Sequence, residues 1–397
     1  MLKKIIIEKI FIFFTIILIG VYSVISMLST NDNSMLETSD SLLLKFVVGM
    51  LFLLSSSYCI MNLQHVHLSK IGWLLLVISS YMAIVRIIDL PITAGLFAYI
   101  YQPMRDLLIV ILFLFIGTIA SKSRDLLNFF ATSMFVAMLI MVYFYYKNWT
   151  LANELDEAHL GTSYYVLFML PIILITPHKS IRYVALIITG VVLFSSFKRG
   201  GVIAFVLGII AYLFVKEVLI ERKFKRLLIF IIAIIALIIA LIIIDNAMGN
   251  IISSRILNIR EDGGSGRDQV WLTTWNMIKN SYGEQFVFGH GYNATEKQSP
   301  LGLSAHNDFL EMLFNYGVIS FVFYVILHIQ LIKQIFAEIR KRNKEASIMV
   351  FTYTIFFLLS MISHIIVYPW ACLIMMSWGA FNSSMQDTHT KINTQTT

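Results

Sequence analysis

The chain has 397 residues, 58% of them hydrophobic and 13% charged, against roughly a quarter charged in a soluble globular protein. No soluble core absorbs that much apolar sequence, so the composition excludes a soluble enzyme and predicts an all-α, polytopic integral membrane protein. The formal net charge of +7 is no nucleic-acid footprint, because the basic residues sit in short loops between apolar runs, which is the topology signal of a membrane protein.

A helical crossing needs about 20 mostly apolar residues. In chain order the candidate spans fall at 5–28, 42–61, 70–90, 105–120, 126–146, 162–177, 182–197, 200–216, 227–246, 308–332, 347–367 and 369–383, twelve in all. The first follows Met1-Leu2-Lys3-Lys4, but its apolar run from Ile10 to Leu28 exceeds a signal-peptide core of about 7–15 residues and no Ala-x-Ala site follows it. It is therefore expected to stay as a helix. The Lys and Arg bias sets the orientation. Segments 121–124, 178–182, 216–226 and 333–344 are basic, whereas 31–40 and 147–161 are acidic. This predicts both termini in the cytoplasm. The organisation expected is an N-terminal bundle over 1–246, a large extracytoplasmic loop with a short interfacial helix over 247–307, C-terminal helices over 308–383 and a cytoplasmic tail over 384–397. Cys59 and Cys372 fall near opposite faces of the membrane and cannot form a disulfide.

Lys198-Arg199-Gly200-Gly201 breaks the charge rule, since it lies on the outer side between two spans. Two cations at the bilayer centre cost about 2.5–3.5 kcal/mol each, so the run reads as a tight turn at the outer surface. It either touches ordinary anionic lipid or grips a phosphate, for which an arginine fork and a glycine backbone are suited. Further on, Gly263-Gly264-Ser265-Gly266-Arg267-Asp268 leads into Val270, Trp271, Trp275 and Ile278, spaced as one apolar helix face. That helix is expected to lie flat on the outer leaflet, with Arg267 at its N-terminal end. Next is the Gly-bracketed turn Phe288-Gly289-His290-Gly291-Tyr292-Asn293, where His290 is a candidate substrate contact or simply a turn residue.

The last feature is Ser304-Ala305-His306-Asn307-Asp308-Phe309-Leu310-Glu311, followed by Gly317. A histidine at the mouth of a membrane helix can take a proton from a sugar hydroxyl, with Asp308 or Glu311 to orient it. The competing reading is a helix cap, with Asn307 or Asp308 capping the helix from Phe309. Within the spans, Arg86 and Asp89 are spaced to pair on one helix face, and Arg105 with Asp106 opens the fourth span. Arg105 is a substrate-binding candidate because ionisable residues inside a membrane are functional by default. His364 lies near the outer end of the eleventh span. No metal-ligand motif and no cofactor motif is present in the sequence.

These residues resemble the O-antigen ligase/polymerase superfamily of polytopic bacterial glycan enzymes, which have about a dozen spans and one large external loop toward the C-terminal end. The ligase branch carries His, then Asn, Ser or Gln, nine residues, Gly, two residues, then Gly, Thr or Tyr. His306-Asn307, Gly317 and Ser320 fit all but the last position. Arg199-Gly200-Gly201 and Arg267 with Trp271 ahead of Gly289-His290-Gly291 also resemble the family, and the likeness is concentrated over about 195–325. The resemblance implies glycosyl transfer from undecaprenyl-diphosphate-linked donor to acceptor in the bacterial cytoplasmic (inner) membrane, on its extracytoplasmic face, without metal or cofactor. In that reading Arg199 and Arg267 hold the diphosphate and His306 activates the acceptor hydroxyl for inversion at the anomeric carbon. Lys198, Gly200, Gly201, Arg105, Trp271, His290, Asn307 and Asp308 are the substrate-binding candidates, and a flippase and a chain-length regulator are candidate partners. The Ser320 departure favours a polymerase of O-antigen, capsule or a similar glycan over a ligase. A transporter or flippase is the reading from another class, but it calls for paired halves and midplane charges, and the sequence has no internal repeat.

Overall fold

The computed structural model describes residues 2–29, 42–91, 96–154, 163–196, 199–225, 228, 232, 266–366 and 371–382. Among them there are helices and no strands. The long helices are α1 (Leu2–Ser29), α2 (Leu42–Met61), α3 (Lys70–Asp89), α4 (Leu96–Lys122) and α5 (Arg124–Glu154). Then come α6 (Ser163–Ile173), α7 (Lys179–Ser195) and α8 (Arg199–Leu213), the last running on as a wide π turn over Phe214–Ile220. The polar segment contributes α9 (Arg267–Lys279), α10 (Gly283–Phe288) and α11 (Ala294–Gln298). α12 (Asp308–Arg340), α13 (Glu345–Ile362) and α14 (Ala371–Asn382) complete the bundle.

Each candidate span on described residues coincides with a helix. The ninth, 227–246, lies almost entirely outside them, as do 247–265 and Lys198. Among the described residues, 8 helices are long and apolar enough to cross a membrane: those that begin at Ile5, Leu42, Lys70, Leu96, Arg124, Arg199, Asp308 and Glu345. The protein is thus an all-helical polytopic membrane protein, and the count of twelve crossings stays an expectation.

The two shortest apolar helices owe their length to where they sit. Every residue of α6 is buried, so it is surrounded by protein rather than by lipid. A helix apolar all round and buried all round is a core element, and 11 residues cover only about 16 Å of a roughly 30 Å hydrocarbon layer. α14 is buried almost throughout and carries the fully buried Trp378. It crosses α4 so closely that a Cβ on Gly379 would sit 2.2 Å from the Phe113 carbonyl oxygen.

α8 packs along α13 by the same small-residue device that lets membrane helices approach. A Cβ on Gly200 would lie 2.5 Å from Ile362 Cδ1, and one on Gly208 3.1 Å from the Phe351 ring. α3 packs on α4 and α12, and α12 also packs on α13. This brings the start of α8, the end of α13, the start of α12 and the end of α3 to one end of the bundle.

α12 is broken at Gly317, whose φ of 74° and ψ of 177° are not helical. The break leaves carbonyls without their i+4 donors, and the polar segment supplies them: His290 N–H donates to Phe314 O and Gly291 N–H to Asn315 O, each at 3.0 Å. The contact is backbone against backbone. A Cβ on Gly317 would lie 2.3 Å from the Val287 carbonyl oxygen, and one on Gly289 2.3 Å from that of Asn315.

Candidate functional site

His306 is the residue before the cap of α12. Asn307 has extended backbone angles, and its Oδ1 accepts from the N–H groups of Phe309 (3.0 Å) and Leu310 (3.1 Å). The cap expected from sequence is therefore present, and its Nδ2 also donates to Met361 O at the end of α13, 3.0 Å away. Asp308 is fully buried. It accepts from the Tyr324 hydroxyl at 3.0 Å and from Ile366 N–H at 3.2 Å. Asn307 and Asp308 thus lock α12 to α13 and the segment after it.

Glu311 does the orienting. Its Oε1 accepts from the His306 backbone N–H at 3.2 Å and lies 3.3 Å from His364 Nδ1. The Ser304 hydroxyl is also 3.3 Å from His364 Nδ1. The His306 ring stacks on that of His364, with centroids 4.6 Å apart and planes at 23°. His364 and Glu311 are buried while His306 is partly exposed, so the pair forms a floor under an imidazole that faces outward. On the other side Trp271 Nε1 donates to Ala305 O at 2.9 Å. The φ of His306 is 48°, a left-handed backbone that a non-glycine residue adopts only where its surroundings impose it. Here the Trp271 and Glu311 hydrogen bonds do so, from either side of the peptide.

α9 begins at Arg267, as expected, after Gly266 with φ 74°. Its buried face is Val270, Thr274 and Ile278, which is turned toward α12, with Ile278 packing beside Phe314 and Ala294. Trp275 remains exposed. The helix is therefore docked on protein along the stripe one position away from the Trp271–Trp275 edge. Tyr164, at the start of α6, packs against the two glycines that follow Arg199. Its ring would be 2.8 Å from a Cβ on Gly201 and its hydroxyl 3.4 Å from one on Gly200, and the charge of Arg267 bears on the same hydroxyl. Arg199 is the first residue of α8, where the amide groups of a helix N-terminus favour an anion. Gly200 and Gly201 are needed for close packing on Tyr164 and Ile362, beyond any approach of backbone to substrate.

The arrangement gathers Arg199, Gly200, Gly201, Arg267, Trp271, His306, Asn307 and Asp308 from segments far apart in sequence. Lys198 lies outside the described residues. Tyr164 had no local signal in the sequence, and Ser304 stood in the motif around His306 without a role of its own. His364 had only the signal of an ionisable residue at a span end, and nothing in sequence placed it under His306.

Arg105 and His290 stand elsewhere. His290 Nε2 is 2.7 Å from the Ser281 hydroxyl, and its ring stacks on Phe314 at 4.2 Å. Partial burial holds its basicity below the usual histidine range, so it stays neutral as part of the loop scaffold. Arg105 belongs to a second cluster. There Arg86 pairs with Asp106 (Nε to Oδ2, 2.8 Å) rather than with Asp89 as its spacing suggested. Asp89 instead accepts from the Tyr292 backbone N–H. A same-helix pair is overridden because α3 lies against α4 on one side and the Gly289–Tyr292 turn on the other.

Chemically, the first cluster offers cations and a helix N-terminus for an anion beside an outward-facing imidazole with a buried carboxylate–histidine support. Residues 184–325, somewhat more than a third of the chain, match the family model described as O-Antigen ligase. The match covers α8, α9, the loop and the first half of α12. No curated protein matches the chain.

Proposed function

From the match of residues 184–325 to the family model described as O-Antigen ligase, which supports transfer of glycans carried on lipid within a membrane, we propose that this protein is a polymerase of undecaprenyl-diphosphate-linked repeat units. It works on the extracytoplasmic face of the bacterial cytoplasmic membrane, with both termini inside. The observation that carries the reading is the His306 imidazole, stacked outward on His364 and tethered at its backbone by Glu311 and by Trp271 through Ala305, at the end of the bundle where Arg199 opens α8 and Arg267 opens α9.

No nucleotide sugar or ATP is supplied outside the cytoplasm, so the activated bond arrives on the lipid diphosphate. The acceptor hydroxyl attacks the anomeric carbon from the face opposite the diphosphate. The carbon–oxygen bond to the diphosphate breaks, its electron pair leaves with the diphosphate, and His306 takes the hydroxyl proton. Positioned bases of this kind contribute about 10²–10⁴-fold. Arg199 and Arg267 meet the charge that grows on the leaving oxygen, the electrostatic stabilisation that is strongest in a water-poor site. The planar fork matters, so Arg267→Lys is expected to lose most of its activity even though it keeps the charge.

A ligase is the second reading, favoured by the description of the matching family model. Both readings are tested by extracting lipid-linked and surface glycan from a deletion strain complemented with wild type, His306→Ala or Arg267→Lys. Single repeat units in the deletion and in both variants are expected of a polymerase. Long chains stranded on the lipid mean a ligase, and full chain growth with His306→Ala removes the base assignment.

A further inference from the structure

The reaction just described puts a positive charge on the His306 ring, and the groups beneath that ring bear on how the charge is carried. His364 is 2% and Glu311 1% exposed. Ser363 ends α13 with extended backbone, so His364 stands on a non-helical segment that needs support from elsewhere. The support comes on both sides of it. Asn307 Nδ2 donates to Met361 O at 3.0 Å, and Ile366 N–H donates to Asp308 at 3.2 Å. The ring itself is fixed at Nδ1, which lies 3.3 Å from both Glu311 Oε1 and the Ser304 hydroxyl oxygen. Ser304, Asn307, Asp308 and Glu311 thus hold one buried imidazole flat against the ring of His306, with centroids 4.6 Å apart.

A carboxylate only accepts hydrogen bonds, so the Nδ1 that faces Glu311 carries a proton and the tautomer of His364 is set. Protons do not pass straight from one ring to the other. The two planes are 23° apart, and the N–H bonds of each ring lie in its own plane, pointing past the other ring. In a hydrolase triad the carboxylate bonds the ring of the base. Here Glu311 Oε1 accepts from the His306 backbone N–H at 3.2 Å and faces the ring of His364. What the arrangement offers the His306 ring is therefore charge. The face of a π ring is negative, and a buried carboxylate bonded to that ring adds to its field where solvent screens little. A neutral His306 gains little from such a floor, whereas an imidazolium gains much, because a nearby opposite charge favours the charged form.

We propose that His364 is a positioning residue for the base: the His306 imidazolium rests on its ring, and Glu311, bonded to that ring and to the His306 backbone, supplies the compensating charge. The inference rests on the proposed reaction, in which His306 takes the acceptor proton. As the acceptor oxygen bonds the anomeric carbon, its proton passes to His306, and the new charge forms directly against the His364 ring. The pair raises the proton affinity of His306 without touching substrate. The other charged or titratable groups of the surrounding elements are Asp308, bonded to Tyr324 and Ile366, and Arg199 and Arg267 at the starts of α8 and α9. The two cations oppose a charge on His306, and in the proposed reaction the diphosphate neutralises them. Glu311 is then the carboxylate that serves the base.

The test is the pH dependence of glycan chain growth by the purified full-length protein in detergent, with lipid-linked repeat units extracted from the deletion strain as the probe. At low substrate the acid limb of the rate reports the base of the free enzyme. Glu311→Gln keeps an oxygen acceptor and deletes the charge. His364→Asn keeps an N–H near the place of Nδ1 and deletes the ring. Each is expected to move the acid limb about one pH unit lower and to cut the plateau rate about tenfold, because His306 becomes a weaker base. His364→Phe restores an aromatic face and is expected to be faster than His364→Asn. If His364→Asn fails to fold, the limb in Glu311→Gln still decides. A rate that falls while the limb stays in place means that Glu311 and His364 only hold the fold, and overturns the inference, as does a His364→Phe no faster than His364→Asn. Full activity of His306→Ala overturns the base assignment instead, and repeat units that the wild-type protein leaves unextended overturn the polymerase reading.

Discussion

At the scale of single residues, His306 is set by its neighbours rather than by its own sequence context. Its left-handed backbone goes with two hydrogen bonds to the peptide that precedes it, one from Trp271 to the Ala305 carbonyl and one from the His306 N–H to Glu311. Trp271→Phe keeps the aromatic body but loses the N–H donor, a bond of about 1 kcal/mol. Glycan chain growth is expected to fall about five- to tenfold, while the melting temperature of the purified protein barely moves. An equal loss of both would make Trp271 a packing residue only. His290 gives a pH test of the loop. Its folded-state basicity lies below the ordinary value of 6.5, so the unfolded chain takes the proton first as pH falls. Loop docking is then fully stabilised above that value and weakens on acidification. Protease cleavage between Ser281 and Ser299 should rise as pH drops below 6.5, and His290→Phe, which keeps the stack on Phe314, should flatten that rise. A rise that survives in His290→Phe would place the acid sensitivity elsewhere.

At the scale of elements, the break in α12 is what builds the site. Gly317 frees the carbonyls of Phe314 and Asn315, and the Gly289–Gly291 backbone occupies them. The glycine in the sequence motif is therefore a docking point for the loop, reached over the length of helix that starts at the Asn307 cap. Gly317→Ala puts a Cβ 2.3 Å from the Val287 carbonyl and forces positive φ on a side chain, so it should cost about 2 kcal/mol or more. Gly266→Ala meets nothing within 4 Å and carries only the backbone strain, about 1 kcal/mol. Thermal unfolding in detergent that ranks the two variants the other way would contradict the docking account.

At the scale of the whole molecule, the site stands where helices remote in sequence end together. α6 and α14 are buried inside the bundle while α1, α2, α5 and α7 present apolar side chains such as Phe13, Leu53, Val136 and Ile187 to the outside. The proposed orientation can be read directly. Cys59 and Cys372 are buried free thiols, so the wild-type chain should resist a membrane-impermeant maleimide. Ser299→Cys is expected to label in intact cells and Asn343→Cys only after lysis. The reverse pattern would invert the topology and with it the side on which glycan transfer occurs.

The sequence by itself determined the class and the described helices, and marked the region that matches a family model. Hydropathy alone located the long apolar helices that fall on described residues, because apolar length is a local property and a bilayer demands it. It also marked His306, Arg199, Arg267 and the Asn307 cap, whose signals lie within a few residues of one another. The tertiary structure decided which groups meet. Glu311 rather than Asp308 supports His306, His364 lies beneath it, and Arg86 takes Asp106 from the neighbouring helix over Asp89 from its own. It also decided that Arg105 and His290 stand apart from His306. Those choices turn on which helix faces are opposed, and the amphipathic signal that fixes a facing in water is absent when both protein and lipid are apolar.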